Sequence, residues 1–273
     1  MTETKEMNND SSSFSNRIVC ITGMHRSGTS LFASWMEKLG VQLDFGDLIP
    51  AAFWNKKGHY EDRRIVKFQG AALKKRYPRS RGWKVYNPEF LSFTNEEKLF
   101  VTEMLKERSS IPCWGWKDPR TLFFASEWLN MDPNMVVLAV YRPAVEVVSS
   151  LVERSKKSRE LTPDASSLLH IGILNAVRIW KTHNQIALNL KKQHPQRVQL
   201  ISIHDLIAKN EEHFHKLQPI LPDSLNYEPI GSLYQEGMLS KDATILGPGV
   251  RLAIHLLTLN LTNQLRSNSL LEG

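Results

Sequence analysis

Apolar and polar positions fall into blocks whose periods change along the chain. Arg17–Gly23 (RIVCITG) is a nearly unbroken apolar run that closes on glycine, the pattern of a strand buried on both faces of a parallel sheet. In Thr29–Leu39 the positions Leu31, Trp35, Met36 and Leu39 share one helical face, and Gly40 supplies a C-terminal stop. Val41–Leu43 reads as a second short strand. Residues 44–58, with Gly46, Pro50 and Gly58, read as an irregular loop, and Tyr60–Leu73 as a helix. Asn95–Glu107 predicts another helix, opened by Thr94 as N-cap with Glu97 three residues on. Cys113–Lys117 reads as a strand ending in Asp118-Pro119. Met135–Tyr141 is the clearest strand; it ends at Arg142, and Pro143 opens a helix to about Arg154. Asp164–Gln193 has the period of a long amphipathic helix, Val198–Ile203 of a strand, and Leu206–Leu217 of a helix.

Strands alternating with helices predict βαβ units: an α/β protein of the P-loop-type three-layer αβα class with a central parallel sheet. No internal repeat or linker interrupts the pattern, so residues 16–273 read as one domain. The polar, Ser/Asn-rich residues 1–15 read as a disordered tail. The apolar stretch from Val250 is expected to dock on the core as a helix or to form a homodimer interface.

Charge narrows the partners. Lys+Arg 35 against Asp+Glu 28 gives a net charge of +7, which favours anions. The basic residues are scattered and no nucleic-acid motif is present, so no nucleic-acid partner is expected. No run has the apolar length of a membrane span and the N-terminus lacks a signal-like apolar core, so the expectation is a cytoplasmic protein. Cys20 and Cys113 lie in apolar runs and read as buried free thiols. No Cys/His spacing suggests a zinc site, and no metal is expected.

The chemistry concentrates in Gly23-Met-His-Arg-Ser-Gly-Thr-Ser30, between a buried strand and a helix. There a parallel sheet presents backbone N–H groups and a helix N-terminus to an anion. Gly23 and Gly28 have the Gly-x4-Gly spacing of a P-loop, but Thr29 stands where a nucleotide triphosphatase has lysine, and the cation comes earlier, at Arg26. Without that lysine the loop is poorly equipped to clamp a γ-phosphate with Mg²⁺. A P-loop small-molecule kinase and a non-catalytic nucleotide-binding regulatory protein are the alternative readings.

Gly23–Ser30 resembles the 5′-phosphosulfate loop of the sulfotransferases that use PAPS (3′-phosphoadenosine 5′-phosphosulfate), in its Arg-Ser-Gly-Thr form. The resemblance implies a sulfotransferase-like fold. It also implies that Ser27, Gly28, Thr29 and Ser30 hold the 5′-phosphate and that Arg26 stabilises charge on the sulfuryl group. That family carries a second signature, a strand-end Arg with a Ser eight residues on. Arg142 and Ser150 match it, which implies that they hold the 3′-phosphate. The chain has Arg-Pro-Ala here rather than the commoner Arg-Asn-Pro or Arg-Asp-Pro. Trp114–Thr121 resembles the family's Lys-bearing strand end, which would place Lys117, Asp118 and Arg120 in the cleft. Gly58–Arg64 resembles the segment that carries a catalytic Glu, and sometimes an Arg two residues later, in protein-tyrosine sulfotransferases and bacterial relatives. Glu61 and Arg63 fit. Glu61 is therefore the first candidate for general base, Asp118 the second and His59 the third. The expected reaction is in-line sulfuryl transfer from PAPS to a hydroxyl, with a glycan or glycolipid as the first guess for the acceptor.

Overall fold

Strands β1 (Arg17–Gly23), β2 (Cys113–Lys117), β3 (Met135–Tyr141) and β4 (Val198–Ser202) pair in parallel, in the spatial order β2-β1-β3-β4. The register sets Ile18 of β1 beside Trp114 of β2 and Met135 of β3, and Val137 of β3 beside Val198 of β4. The structure, a computed structural model, describes residues 16–49, 60–80, 82–86, 89–161, 171–234, 239 and 243–272.

Helices α1 (Thr29–Leu39), α2 (Arg63–Arg76), α3 (Asn95–Glu107), α4 (Thr121–Met131), α5 (Ala144–Leu161), α6 (Ile173–Gln193), α7 (Ile203–Ala208), α8 (Asn210–Leu217) and α9 (Pro248–Ser267) cover the sheet. Because side chains alternate along a strand, the apolar run of β1 feeds two cores. Ile18 and Cys20 pack with residues of α2 to α6 and α9, including Ile65, Trp128, Val147, Trp180 and Leu261. Val19 and Ile21 pack with Phe32, Trp35 and Met36 of α1 and with Leu206 and Phe214 of α7 and α8. This is the expected αβα layering around a parallel sheet. Both cysteines are buried and free; burial pushes the Cys113 thiol up to about 12.

Several boundaries move from those expected. Val41–Leu43 is not a strand: Gln42 alone bridges to Trp114. The helix expected from Tyr60 starts at Arg63. Tyr60 takes a positive φ of 52°, and the Asp62 carboxylate caps the helix by accepting from the Arg64 and Ile65 amides. The helix after Pro143 continues to Leu161. The start expected at Asp164 lies outside the described residues; α6 is described from Ile173. Strand β4 stops at Ser202, whose hydroxyl accepts from the Asp205 amide and opens α7, so the single helix expected at 206–217 becomes two. The capping box of Thr94 and Glu97 forms as expected. Helix α4 has no counterpart in the sequence reading. Seven of its eleven residues are buried, so it lacks the polar face that would reveal a 3.6-residue period.

Candidate active site

The carboxyl ends of β1, β2 and β3 lie side by side, with β1 between its two neighbours. In parallel sheets ligands gather in the crevice outside such ends. Gly23 closes β1 with a φ of 134°, and a Cβ there would sit 2.1 Å from the Val140 carbonyl oxygen on β3. Only glycine allows the chain to turn away so close to its neighbour. Gly28 is also left-handed, at 91°, and packs under Ile203 so tightly that a Cβ would approach Cγ1 to 2.6 Å. Between them the loop delivers the N-terminus of α1 with no side-chain cap and no acidic residue in its first turn. Ser27 is fully buried there, and its hydroxyl has no hydrogen-bond partner among the described residues. A buried polar atom of that kind beside uncapped amides suits a bound anion. Thr29 is buried in the first turn and Ser30 is half-buried beside it.

Arg26 takes a φ of 71° and reaches across the crevice, its Nε donating to Ser150 Oγ at 2.9 Å. Arg142, at the end of β3, donates from Nη1 to the Arg26 carbonyl oxygen at 3.1 Å. Burial, followed by the charges of Arg154 and Arg142, pushes the Arg26 guanidinium down to about 10. Glu153 opposes those two arginines, and Arg142 is itself paired with Glu146 at 2.7 Å, so the cluster carries charges of both signs.

A second cluster forms at the end of β2. Lys117 donates from Nζ to Glu61 Oε1 at 2.7 Å, and Arg120 Nη1 lies 3.8 Å from the other Glu61 oxygen. Asp118 is fully buried. Its Oδ1 accepts from the Arg120 amide at 2.9 Å and from Arg120 Nη1 at 2.8 Å, and its Oδ2 accepts from Gln69 at 2.9 Å. Gln69 in turn bonds Thr121 and the Trp128 indole, which packs this network rigidly under α2 and α4. Burial pushes the Asp118 carboxyl up, opposed by Arg120 and reinforced by Glu61. Arg63 is directed elsewhere: it is exposed and pairs with Asp47 at 2.7 Å. His59 lies outside the described residues.

The structure thus brings Arg26, Ser150 and Arg142 together, and separately Glu61, Lys117, Asp118 and Arg120. His25, next to Arg26 in the loop, feels charges from Arg120 and Lys117 of the second group and from Arg154. Its ring meets Trp83 edge-on at 5.4 Å, next to Gly82, whose carbonyl accepts from Arg120. Its Nε2 is buried with no hydrogen-bond partner among the described residues. Burial and the surrounding Arg120, His183, Arg154 and Lys117 hold His25 well below its usual range. The sequence reading missed His25, Arg154 and Glu146. Arg154 follows Ser150 by four residues, which places both on one face of α5, and Glu146 lies in the first turn of α5, four residues after Arg142. Among the described residues no group of three or more His, Cys, Asp or Glu is placed to hold a metal ion, and no helix is long and apolar enough to cross a membrane.

No protein-family model matches the chain, and no curated protein matches it. Solved structures do. A sulfotransferase from Alicyclobacillus acidocaldarius superposes with a TM-score of 0.51 at 12% identity, over 92% of this chain and 95% of that one. The sulfotransferase domain from the curacin biosynthetic pathway is 18% identical over 83% of this chain and 81% of its own, with a TM-score of 0.45. The similarity to the first, together with the parallel sheet covered by helices, gives this chain a sulfotransferase-like fold.

Proposed function

We propose that the chain is a PAPS-dependent sulfotransferase that acts on an acceptor hydroxyl. The observation that carries this reading is the contact between Arg26 and Ser150, 124 residues apart, with Arg142 on the backbone of Arg26. The two donor-binding signatures inferred from sequence meet there, beside an uncapped helix N-terminus and the unpartnered Ser27 hydroxyl. Ser27, Gly28, Thr29 and Ser30 hold the 5′-phosphate in this reading, and Arg142 and Ser150 the 3′-phosphate. The acceptor oxygen bonds to sulfur as the bond from sulfur to the 5′-phosphate oxygen breaks. Arg26 meets the charge that develops on the sulfuryl and leaving oxygens. Glu61 takes the hydroxyl proton, with Lys117 and Arg120 holding the carboxylate in place. Lys117 and Arg120 are the cations nearest the acceptor side, where a glycan or glycolipid hydroxyl is the first candidate.

Residues 16–273 act as one domain in this reading, and the protein works in the cytoplasm. A homodimer would use α9, whose Leu252, Leu256 and Leu257 are exposed. The test is transfer from labelled PAPS to a panel of glycans, phenols and peptides, run in excess EDTA, beside thermal shifts with PAP (the desulfated product), ATP–Mg²⁺ and an oligonucleotide. Stabilisation by PAP alone and metal-independent transfer are expected. ATP turnover that requires Mg²⁺ would replace this reading with a kinase.

A further inference from the structure

Arg142 is almost fully buried, and its guanidinium is held from more than one side. Its Nε donates to Glu146 Oε2 at 2.7 Å, in the first turn of α5. Its Nη1 donates to the Arg26 carbonyl, and its own carbonyl accepts from the Trp180 indole at 2.9 Å. Glu146 is in turn gripped by His204, whose Nε2 lies 2.9 and 3.0 Å from the two carboxylate oxygens. His204 belongs to the first turn of α7, immediately after β4. The carboxyl end of the fourth strand, silent in the sequence reading, is therefore tied to the arginine at the end of the third.

A carboxylate this close to an intended phosphate site is electrostatically unfavourable unless it does something else there. An arginine side chain has many rotamers, and its planar fork reads a phosphate only when the plane is set. A carboxylate on Nε sets that plane, and an imidazole on the far side sets the carboxylate. We propose that Glu146, braced by His204, is a positioning residue that orients Arg142 to recognise the 3′-phosphate of the donor. The inference rests on the donor reading above. Burial alone would raise the Glu146 carboxyl; the hydrogen bonds from His204 and Arg142 outweigh it and hold the group below the usual carboxylate range, so the brace stays anionic. Because Arg142 also holds the Arg26 backbone, loss of the brace loosens the cation that faces the sulfuryl group.

The test compares dissociation constants for PAP and for AMP, which lacks the 3′-phosphate, in the full chain by calorimetry. The wild type should prefer PAP. Glu146→Ala should lose about tenfold or more of that preference, the scale on which an orienting partner acts, with AMP binding unchanged. Glu146→Gln keeps an oxygen for the Nε–H and should restore most of the preference. His204→Ala should fall between wild type and Glu146→Ala, and it carries the test if Glu146→Ala does not fold. Equal losses for PAP and AMP, or an unchanged preference in both Glu146→Ala and His204→Ala, overturn the proposal. A wild type that binds neither nucleotide overturns the donor reading itself, and the inference with it.

Discussion

The Nζ of Lys117 lies 2.7 Å from Glu61 Oε1, and both side chains are buried. The pair joins the end of β2 to the residue two before α2, across 56 positions of sequence. Removing one partner of a buried pair strands the other charge and costs about 3–5 kcal/mol; an isosteric amide keeps the shape and a hydrogen-bond acceptor for Lys117 but not the charge, so its stability is measured beside its turnover.

Glu61→Gln is therefore the informative substitution. If Glu61 takes the acceptor proton, turnover falls by about 10²–10⁴ fold while PAP affinity holds. Asp118→Asn, at the hub of the Gln69 and Arg120 contacts, should lower the melting temperature more than it lowers turnover per folded molecule. The reverse pattern in steady-state kinetics, with Asp118→Asn dead and Glu61→Gln near wild type, makes Asp118 the base.

Arg26→Ala should cut turnover by about 10²–10³ fold, the scale of a lost oxyanion donor, with a smaller loss of PAP affinity. Single-turnover rates beside equilibrium binding separate the two. Losses of equal size in both would reduce Arg26 to a binding residue.

Gly23→Ala should destabilise the fold severely, by about 3 kcal/mol or more, because a Cβ both meets the Val140 carbonyl and is forced to a positive φ. Denaturant titration measures it. A melting curve near wild type would show that β1 and β3 separate more easily than their pairing implies.

Buried histidines make the fold acid-labile. Burial holds His183 at about 4, and it lowers His25 and His213 as well. The folded state binds fewer protons at these sites than the unfolded chain, whose histidines titrate near 6.5. Their contribution to stability is complete above that value and is lost as pH falls below it. Each adds a slope of up to about 1.4 kcal/mol per pH unit. Thermal melts between pH 7.5 and 5 should show the loss, and His183→Gln should flatten it. A pH-independent melting temperature across that range contradicts the burial of these rings.

The sheet was readable because its strands are continuous apolar runs ended by chemically marked residues: Gly23, Asp118 and Arg142. The Thr94 cap was readable for a similar reason, since Glu97 answers it three residues on. Helix α4 was not, because TLFFASEWLNM is buried almost all round and carries no period. The residues proposed to hold the donor were legible one segment at a time, as separate motifs. Their meeting was not, since no local pattern says that Arg26 reaches Ser150. Glu146 and His204 were missed for the same reason: a carboxylate on a helix and a histidine after a strand acquire meaning only from the arginine between them.

After burial itself, Arg154 and Arg142 both act to lower the Arg26 guanidinium, with Glu153 opposing them and Glu146 paired to Arg142. That turns the choice of buffer into an experimental variable. If this cluster takes the donor, phosphate or sulfate in a purification should raise the melting temperature and compete with PAP, so apparent affinities should depend on the anion present. After dialysis into a chloride or acetate buffer of low ionic strength, titrating sulfate back should raise the melting temperature before any nucleotide is added, if the cluster binds anions.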